Sequence, residues 1–397
     1  MAILDRVFAR LSRVTSTGRF VPQIDGLRFV AIAVVILFHT ARVLEEFVPT
    51  RVAQWPEDPL WILYKQGFCG VQLFFGISGF ILALPFAEQH IAGQRPVSLA
   101  RYFLRRVTRL EPPYFINLFS FFILRTVLIG ESAQQLLPHL LASIFYVHNI
   151  AYDTSSTMVN PVAWSLEIEV QFYIMAPLIS RLFTIRNTSR RRAAIVALAL
   201  AFGALRAALV RPESEHGWNL ITELPFFLVG FLLADLYLVD WHKQPKQTFL
   251  WDVFSGLAWA ALFPWIAGTY LDGLVTPILI FIAYVGAFRG VLGSRVFSNP
   301  WLVTIGGMCY TIYLYHYAIL MTLGPRTVHL WAGPGRWADA LFQTALLFPP
   351  VILVSAGLFA AFEKPFMQRD WPSVWRTTIR GWLRRPSVEA SPGGGEG

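Results

Sequence analysis

The chain has 397 residues, of which 55% are hydrophobic, 15% aromatic and only 14% charged, and its mean hydropathy is +0.51. Soluble domains carry about 25% charged residues, so this composition excludes an ordinary soluble domain and indicates a membrane protein. The 33 Lys and Arg residues outnumber the 24 Asp and Glu residues, which gives a net charge of +9. We expect this excess to lie in basic loops on the cytoplasmic side of a membrane rather than to bind nucleic acid.

The first 20 residues contain four arginines and no long apolar core, so they are not typical of a cleaved signal peptide. We expect a basic cytoplasmic arm over residues 1–20. Its arginines face apolar residues at helical spacing, which fits a short amphipathic helix on the membrane surface, and a disordered arm is the alternative.

Apolar stretches of about 20 residues, the length that crosses a bilayer, follow along the chain. They predict an all-α transmembrane bundle within one membrane-embedded domain, residues 21–366, followed by a basic and then flexible cytoplasmic tail, residues 367–397. We predict about ten spans, near residues 24–43, 66–86, 112–130, 162–183, 193–210, 219–239, 250–268, 273–289, 299–323 and 340–362.

A further apolar stretch, residues 136–150, is short and contains His139 and His148. If it does not cross, both termini are cytoplasmic and the arginine-rich loops near residues 95–109 and 186–192 lie inside. A crossing here would invert the rest of the chain and place the second of these loops outside. We therefore expect residues 136–150 to be re-entrant or interfacial, which is tolerated where protein surrounds the segment.

Charged residues are rare inside spanning helices and usually mark function, and the first span carries a row of them. Asp25, Arg28 and His39 share one face, because eleven residues bring a helix back to nearly the same direction about 16 Å further on. A neutral imidazole can act as a general base near pH 7. A packing histidine with a satisfied hydrogen bond is the alternative.

Two later segments add charge at the membrane boundary. Arg106 and Arg109 lie three residues apart on one helix face, where two guanidinium groups suit a phosphate or carboxylate, although simple topogenic charge is the alternative. Ser165, Glu169 and Tyr173 share a face of the fourth span, whereas Glu167 does not. The helix dipole explains acids near a helix start, but it explains the deeper Glu169 less well.

Near the end of the chain, the segment MCYTIYLYHYAIL places Tyr313, His316 and Tyr317 on neighbouring faces of one span. An interfacial aromatic belt explains such tyrosines equally well. The glycines of GVQLFFGISGF are typical of close helix packing rather than of a phosphate loop. The sequence contains no H-E-x-x-H, CxxC or P-loop motif, and we expect no metal site.

Together these segments make the chain resemble the acyltransferase 3 family of polytopic membrane enzymes. The resemblance runs in family order from about residue 22 to 366 and rests on Arg28 with His39, GVQLFFGISGF, Arg106 with Arg109, WSLEIEVQFY, and TIYLYHYAI. The family commonly has two adjacent acids before Gln-Phe-Tyr, whereas here Glu169 is followed by Val170 and the additional acid is Glu167. Some relatives add an extracytoplasmic hydrolase-like domain, for which we expect no room after the last span.

The resemblance implies a multi-pass protein of the bacterial cytoplasmic membrane. It implies transfer of an acyl group, most often acetyl, from a cytoplasmic thioester such as acetyl-CoA to a hydroxyl. The acceptor is usually a sugar of a surface polysaccharide or glycoside. On this hypothesis His39 is the general base, and Glu169 orients His39 or binds the acceptor.

The remaining predicted site residues would bind substrate or donor: Arg28, Arg106, Arg109, Ser165, Tyr173 and His316. Direct transfer and a covalent intermediate both stay open. The alternative function is a transporter or flippase, because intramembrane Arg, His and Glu residues also form proton relays. The chain shows no paired halves with matched broken helices, which many carriers have.

Overall fold

The computed structural model describes residues 11–13, 20–53, 59–152, 157–210, 219–263, 272–330, 335–368 and 371. Most of the predicted N-terminal arm and C-terminal tail lies outside these residues. Over the described ranges the chain consists of helices, turns and bends without a β-strand, so the all-α prediction is confirmed there.

Sixteen α-helices follow one another in the described part of the chain. In order they are α1 (Pro22–Phe47), α2 (Pro49–Ala53), α3 (Pro59–Lys65), α4 (Cys69–His90), α5 (Leu99–Ile123), α6 (Ala133–Ile144), α7 (His148–Ala151), α8 (Trp164–Ile179), α9 (Thr188–Leu209), α10 (Leu220–Val239), α11 (Phe249–Ala261), α12 (Asp272–Arg289), α13 (Val291–Phe297), α14 (Pro300–Gly307), α15 (Cys309–Thr327) and α16 (Arg336–Leu358). A π-helical turn, Phe359–Glu363, continues α16.

Eight helical stretches among the described residues are long and apolar enough to cross a bilayer. They are Pro22–Phe47, Leu60–His90, Leu99–Ile129, Pro161–Thr184, Thr188–Leu209, Leu220–Val239, Asp272–Arg289 and Trp337–Met367. Each coincides with one of the predicted spans. The other two predicted spans fall on α11, which has 13 residues and precedes residues outside the description, and on the pair α14 and α15. A total of ten therefore stays a prediction.

The pair α14 and α15 is one predicted span that the structure divides at Met308. Met308 has φ −93° and ψ 5°, which interrupts the helix after Gly307. Gly306 lies against the first turn of α1, where an added Cβ would come within 1.8 Å of the Asp25 carbonyl oxygen. The missing side chain lets the two backbones touch, and the break brings the start of α15 beside α1.

Helices α4 and α10 pack closely at the centre of the bundle. A Cβ on Gly79 would lie 2.0 Å from the Phe227 carbonyl oxygen, and one on Gly230 would lie 2.3 Å from the Gly76 carbonyl oxygen. Small residues allow such approach between membrane helices, where van der Waals packing is a main attraction. The expectation that these glycines serve helix packing is confirmed.

Ion pairs connect the ends of α4, α9 and α10 at one end of the bundle. Arg191 and Arg192, at the start of α9, both pair with Asp235 near the end of α10. The Lys243 ammonium lies 2.8 Å from a Glu88 carboxylate oxygen near the end of α4. These ion pairs bring the end of α4, the start of α9 and the end of α10 together at one end of the bundle, and the cytoplasmic position of the basic loops stays a prediction.

Residues 136–150 contain most of α6, a sharp turn and the beginning of α7. Helix α6 has 12 residues and is about 18 Å long, well short of a hydrocarbon core of about 30 Å. Tyr146 in the turn has φ 56°, a left-handed conformation. Its carbonyl accepts a hydrogen bond from Gln171 Nε2 at 3.0 Å, which ties the turn to α8. On its own, α6 is too short to span the bilayer.

Candidate active site

A cavity of about 550 Å³ lies among α1, α4, α5, α8 and the start of α15. Five of its described lining residues are arginines, namely Arg13, Arg28, Arg105, Arg106 and Arg109. Three are glutamates, namely Glu88, Glu169 and Glu363. The cavity collects six of the eight predicted site residues: Arg28, Arg106, Arg109, Ser165, Glu169 and Tyr173.

The second turn of α1 supplies Arg28. Its Nη1 donates to Asp25 Oδ1 at 2.7 Å, as the spacing of three residues allows on a helix. Asp25 is nearly fully buried and also lies 3.7 Å from Arg13 Nε. One carboxylate therefore lies between two arginines, which orients Arg28 while leaving positive charge at the cavity.

Helix α5 supplies Arg106 and Arg109. The Arg106 guanidinium carbon lies 3.8 Å above the Tyr102 ring centroid and 5.3 Å from that of Tyr173, within the range of cation–π attraction. Arg109 differs, because its Nε is buried and has no hydrogen-bond partner among the described residues. An unpaired buried donor is costly, and a ligand atom that accepts hydrogen bonds within the cavity would satisfy it.

Helix α8 contributes Glu169 and Tyr173 to the cavity. Glu169 Oε1 accepts hydrogen bonds from Ser78 Oγ at 2.5 Å and from the Tyr173 hydroxyl at 2.8 Å. No hydrogen bond joins Glu169 to His39 among the described residues, and the other role predicted for Glu169, binding of the acceptor, stays a prediction. The carboxylate is fixed by two hydroxyls within the arginine-lined cavity.

Ser165 and Tyr313 join the beginning of α8 to α15. The Tyr313 hydroxyl donates to the Val162 carbonyl oxygen, so its oxygen is free to accept. Ser165 Oγ lies 3.0 Å from it, and the Leu166 amide nitrogen donates to it at 3.3 Å. Tyr313 also lines the cavity, which therefore ends at this hydrogen-bonded group.

His39 and His316 form a pair that does not line the cavity. His316 Nε2 lies 3.1 Å from His39 Nδ1, and the two ring centroids are 4.9 Å apart. His316 is fully buried, whereas His39 is partly exposed. Tyr313 lies between the histidine pair and the cavity. Its ring centroid is 6.5 Å from that of His316, and its side chain lines the cavity. The predicted residues therefore form two groups on either side of Tyr313.

Comparison with known proteins identifies the family. The family model Acyl_transf_3, described as an acyltransferase domain, matches residues 21–362. The chain belongs to the acyltransferase 3 family. Matched relatives of this family member include "Putative O-acetyltransferase SACOL0978" of Staphylococcus aureus strain COL, which is 28% identical over 331 residues in an alignment that covers 76% of this chain and 51% of the relative.

A second relative is O-acetyltransferase OatA of Staphylococcus aureus strain NCTC 8325. It is 25% identical over 341 residues in an alignment that covers 79% of this chain and 53% of that protein. This acyltransferase 3 family member spans about half the length of the curated relatives that it matches. No solved structure matches the chain.

The two acids that depart from the common acyltransferase 3 pattern have separate surroundings here. Glu169 lines the cavity, whereas Glu167 is fully buried outside it. Glu167 Oε2 accepts a hydrogen bond from the Asn149 amide nitrogen at 2.9 Å. Glu167 therefore ties the start of α7 to α8, and Glu169 is the carboxylate that faces the cavity.

Several polar residues of the acyltransferase 3 cavity were not among the predicted site residues, including Arg13, Ser78 and Glu363. Glu363 accepts hydrogen bonds from the Thr311 amide nitrogen at 3.1 Å and from its hydroxyl at 2.5 Å, so it caps the start of α15. An acid at the end of an apolar stretch is a signal that could have found Glu363. No comparable signal marks Ser78, because a serine among glycines is common in packed membrane helices.

Another histidine pair lies away from the cavity of this family member. His139 Nδ1 is 3.0 Å from His148 Nε2, and both rings pack on Tyr152. Burial, and to a smaller extent His139, lowers the pKa of His148 to about 4. Across the described residues, no group of three or more His, Cys, Asp or Glu side chains is arranged to hold a metal ion.

Proposed function

We propose that this protein is a membrane-bound O-acyltransferase that moves an acyl group, in the simplest case acetyl, from acyl-CoA to a hydroxyl of a carbohydrate. The carrying observation is the cavity of about 550 Å³ with five arginines along its wall. Arginine guanidinium groups bind phosphate oxygens in pairs, and CoA carries several phosphate oxygens. The unpaired Nε of Arg109 supports a ligand rich in acceptors at this place.

The donor would lie with its phosphates among Arg28, Arg106 and Arg109. Five arginines against three glutamates leave the cavity favourable for an anion. Glu169, Ser165 and Tyr173 line the part of the wall that leads toward Tyr313. We assign Ser165 and Tyr173 to positioning of the acyl end of the donor, and Glu169 to the chemistry there.

The acceptor would meet the acyl group at His39. His39 is about 16 Å along α1 from Arg28 and is partly exposed on the other side of Tyr313. The basic loops at the Arg28 end favour a cytoplasmic position for the donor cavity in a bacterial cytoplasmic membrane. A carbohydrate arriving from the opposite side would then present its hydroxyl to the imidazole, which acts as general base.

Family membership favours this proposal over transport. The matched relatives are named O-acetyltransferases, which supports acetyl as the group to test first. A carrier would pass its substrate unchanged, whereas an acyltransferase leaves a new ester on the acceptor. The experiment therefore measures whether a new ester forms on the acceptor.

The test uses the purified full chain in lipid nanodiscs with radiolabelled acetyl-CoA and a panel of bacterial surface glycans. We expect label in the glycan fraction that hydroxylamine releases, as an ester requires, and release of free CoA in equal amount. If folded protein transfers no acyl group from acetyl-, propionyl- or butyryl-CoA to any glycan in the panel, the proposal is wrong. Accumulation of unmodified substrate inside sealed proteoliposomes would instead support the carrier.

A further inference from the structure

We propose that His316 is a positioning residue that fixes the protonation pattern of His39, so that His39 Nε2 is the bare nitrogen that takes the acceptor proton. This inference rests on the proposed acyl transfer. It assigns His316 a role through another side chain rather than a contact with substrate. The fully buried position of His316 outside the cavity fits that role.

The backbone of α15 determines which nitrogen of His316 carries hydrogen. His316 Nδ1 lies 3.0 Å from the Ile312 carbonyl oxygen and 2.8 Å from the Tyr313 carbonyl oxygen. Carbonyl oxygens can only accept hydrogen bonds, so Nδ1 must be the donor. In a neutral ring the other nitrogen, Nε2, is then bare and can only accept.

That bare nitrogen lies 3.1 Å from His39 Nδ1. His39 Nδ1 must therefore be the protonated nitrogen, and its hydrogen is shared with the Val35 carbonyl oxygen at 3.0 Å. The Val35 carbonyl oxygen on α1 and His316 Nε2 on α15 are both acceptors, and both require the hydrogen to be on His39 Nδ1. Neutral His39 is left with a bare Nε2, and no hydrogen bond within the described residues engages that atom.

The same contact stabilises the product of proton transfer. When His39 Nε2 takes a proton, the ring becomes positive and its Nδ1 hydrogen points at the lone pair of His316 Nε2. Hydrogen bonds from a charged donor are stronger than neutral ones, and weak dielectric screening strengthens them further. The rings of Phe38 and Tyr317, with centroids 5.0 and 5.2 Å from that of His39, limit water around the pair.

The reaction step balances without another reactant. The acceptor oxygen forms a bond to the acyl carbon, and its proton passes to His39 Nε2. The carbon–sulfur bond breaks with its electron pair on sulfur. His39 then returns the proton to that sulfur, which leaves as free thiol, so the neutral pair is restored.

Two substitutions at one position separate this role from simple packing. His316→Gln keeps a side-chain oxygen that can accept from His39 Nδ1, whereas His316→Phe keeps ring volume without any acceptor. We expect His316→Phe to lower kcat about 10- to 100-fold, the rate equivalent of one hydrogen bond to a charged group, with the KM for acyl-CoA little changed. His316→Gln should recover most of that loss. Equal kcat in wild type and His316→Phe, or equal losses in both variants, would overturn the inference.

A spectroscopic measurement makes the test independent of turnover and of the variants' folding. Nitrogen-15 NMR of the histidine-labelled wild-type protein should show both His39 and His316 as the form protonated at Nδ1. His39 protonated at Nε2 would refute the inference even if transfer occurs. A correct NMR pattern in a protein that transfers no acyl group would refute the proposed function and leave the histidine arrangement standing.

Discussion

His316 Nε2 lies 3.1 Å from His39 Nδ1, although 277 positions separate the two residues in the chain. Helix α15 carries His316 and helix α1 carries His39. The contact puts the predicted base beside a partner that no spacing rule indicates. It also places this base outside the arginine-lined cavity, so donor binding and proton transfer become separately testable.

Removal of the proposed base should affect turnover alone. We expect His39→Gln to lower kcat about 10²- to 10⁴-fold, the usual contribution of general acid–base catalysis. The KM for acyl-CoA should stay near the wild-type value, because His39 does not line the donor cavity. Initial rates over a range of acyl-CoA concentrations test both expectations. His90→Gln, at an exposed helix end, is the matched control, and normal turnover by His39→Gln would remove His39 from the mechanism.

Removal of a cavity arginine should affect donor binding. We expect Arg109→Gln to raise the KM for acyl-CoA about tenfold or more, because a hydrogen bond between charged groups contributes about 1.5–3 kcal/mol. Arg190→Gln, which removes an exposed arginine at the start of α9, should leave the KM unchanged. Steady-state kinetics and direct binding of CoA give two measurements of the same effect. Unchanged CoA affinity in Arg109→Gln would argue against phosphate binding at this wall.

Substitutions of Glu169 can separate the contribution of its negative charge from that of the hydrogen bonds it accepts. Its carboxylate accepts from the Ser78 and Tyr173 hydroxyls. Glu169→Gln keeps one accepting oxygen and should leave the thermal midpoint within a few degrees while lowering kcat about tenfold or more. Glu169→Leu leaves both hydroxyls unpaired and should cost about 1–3 kcal/mol of stability for each. Thermal unfolding in detergent distinguishes the two variants, and full activity in Glu169→Gln would limit Glu169 to a structural role.

Helix packing at the centre of the bundle gives a prediction about stability. A side chain on Gly79 would meet the Phe227 carbonyl oxygen, since a Cβ there lies 2.0 Å from it. We expect Gly79→Val to destabilise the protein by about 1–3 kcal/mol, as overpacking does. A Cβ added at Gly256 would meet no atom of a neighbouring helix or side chain within 4 Å. Gly256→Ala should therefore be neutral or stabilise α11 by about 0.5–1 kcal/mol. Equal thermal midpoints in the two variants would contradict the packing argument.

The lowered pKa of His148 predicts that the folded protein loses stability in acid. Its pKa in the folded protein is lowered from 6.5 to about 4, so the folded state holds the neutral ring while the unfolded chain binds a proton more readily. Stability from this group is therefore complete above about pH 6.5 and is lost as the pH falls toward about 4, by an amount on the order of 2 kcal/mol. Thermal midpoints of wild type and His148→Asn between pH 4 and 7 measure it. We expect a flatter curve for the variant, and parallel curves would contradict the assignment.

Some of the site follows from local spacing. Arg28 contacts Asp25 three residues before it, and Arg106 and Arg109 face one cavity, because the helical repeat places such residues side by side. The shared face of Ser165, Glu169 and Tyr173 follows from the same repeat. The hydrogen bond from Ser78 on α4 to the Glu169 carboxylate did not follow from spacing. The partner of this carboxylate depends on how α4 and α8 pack, which helical spacing does not encode.

The sequence by itself determined the class of protein, the all-helical fold and most of the apolar helices, because partition into a bilayer depends on the composition of each segment. It also determined which polar residues share a helix face, because the helical repeat is local. Only the tertiary structure decided the division of the predicted span at Met308, the assembly of the arginine-lined cavity, and the pairing of His39 with His316. These features depend on which helices touch and at what height, and that outcome is set by packing between segments hundreds of residues apart.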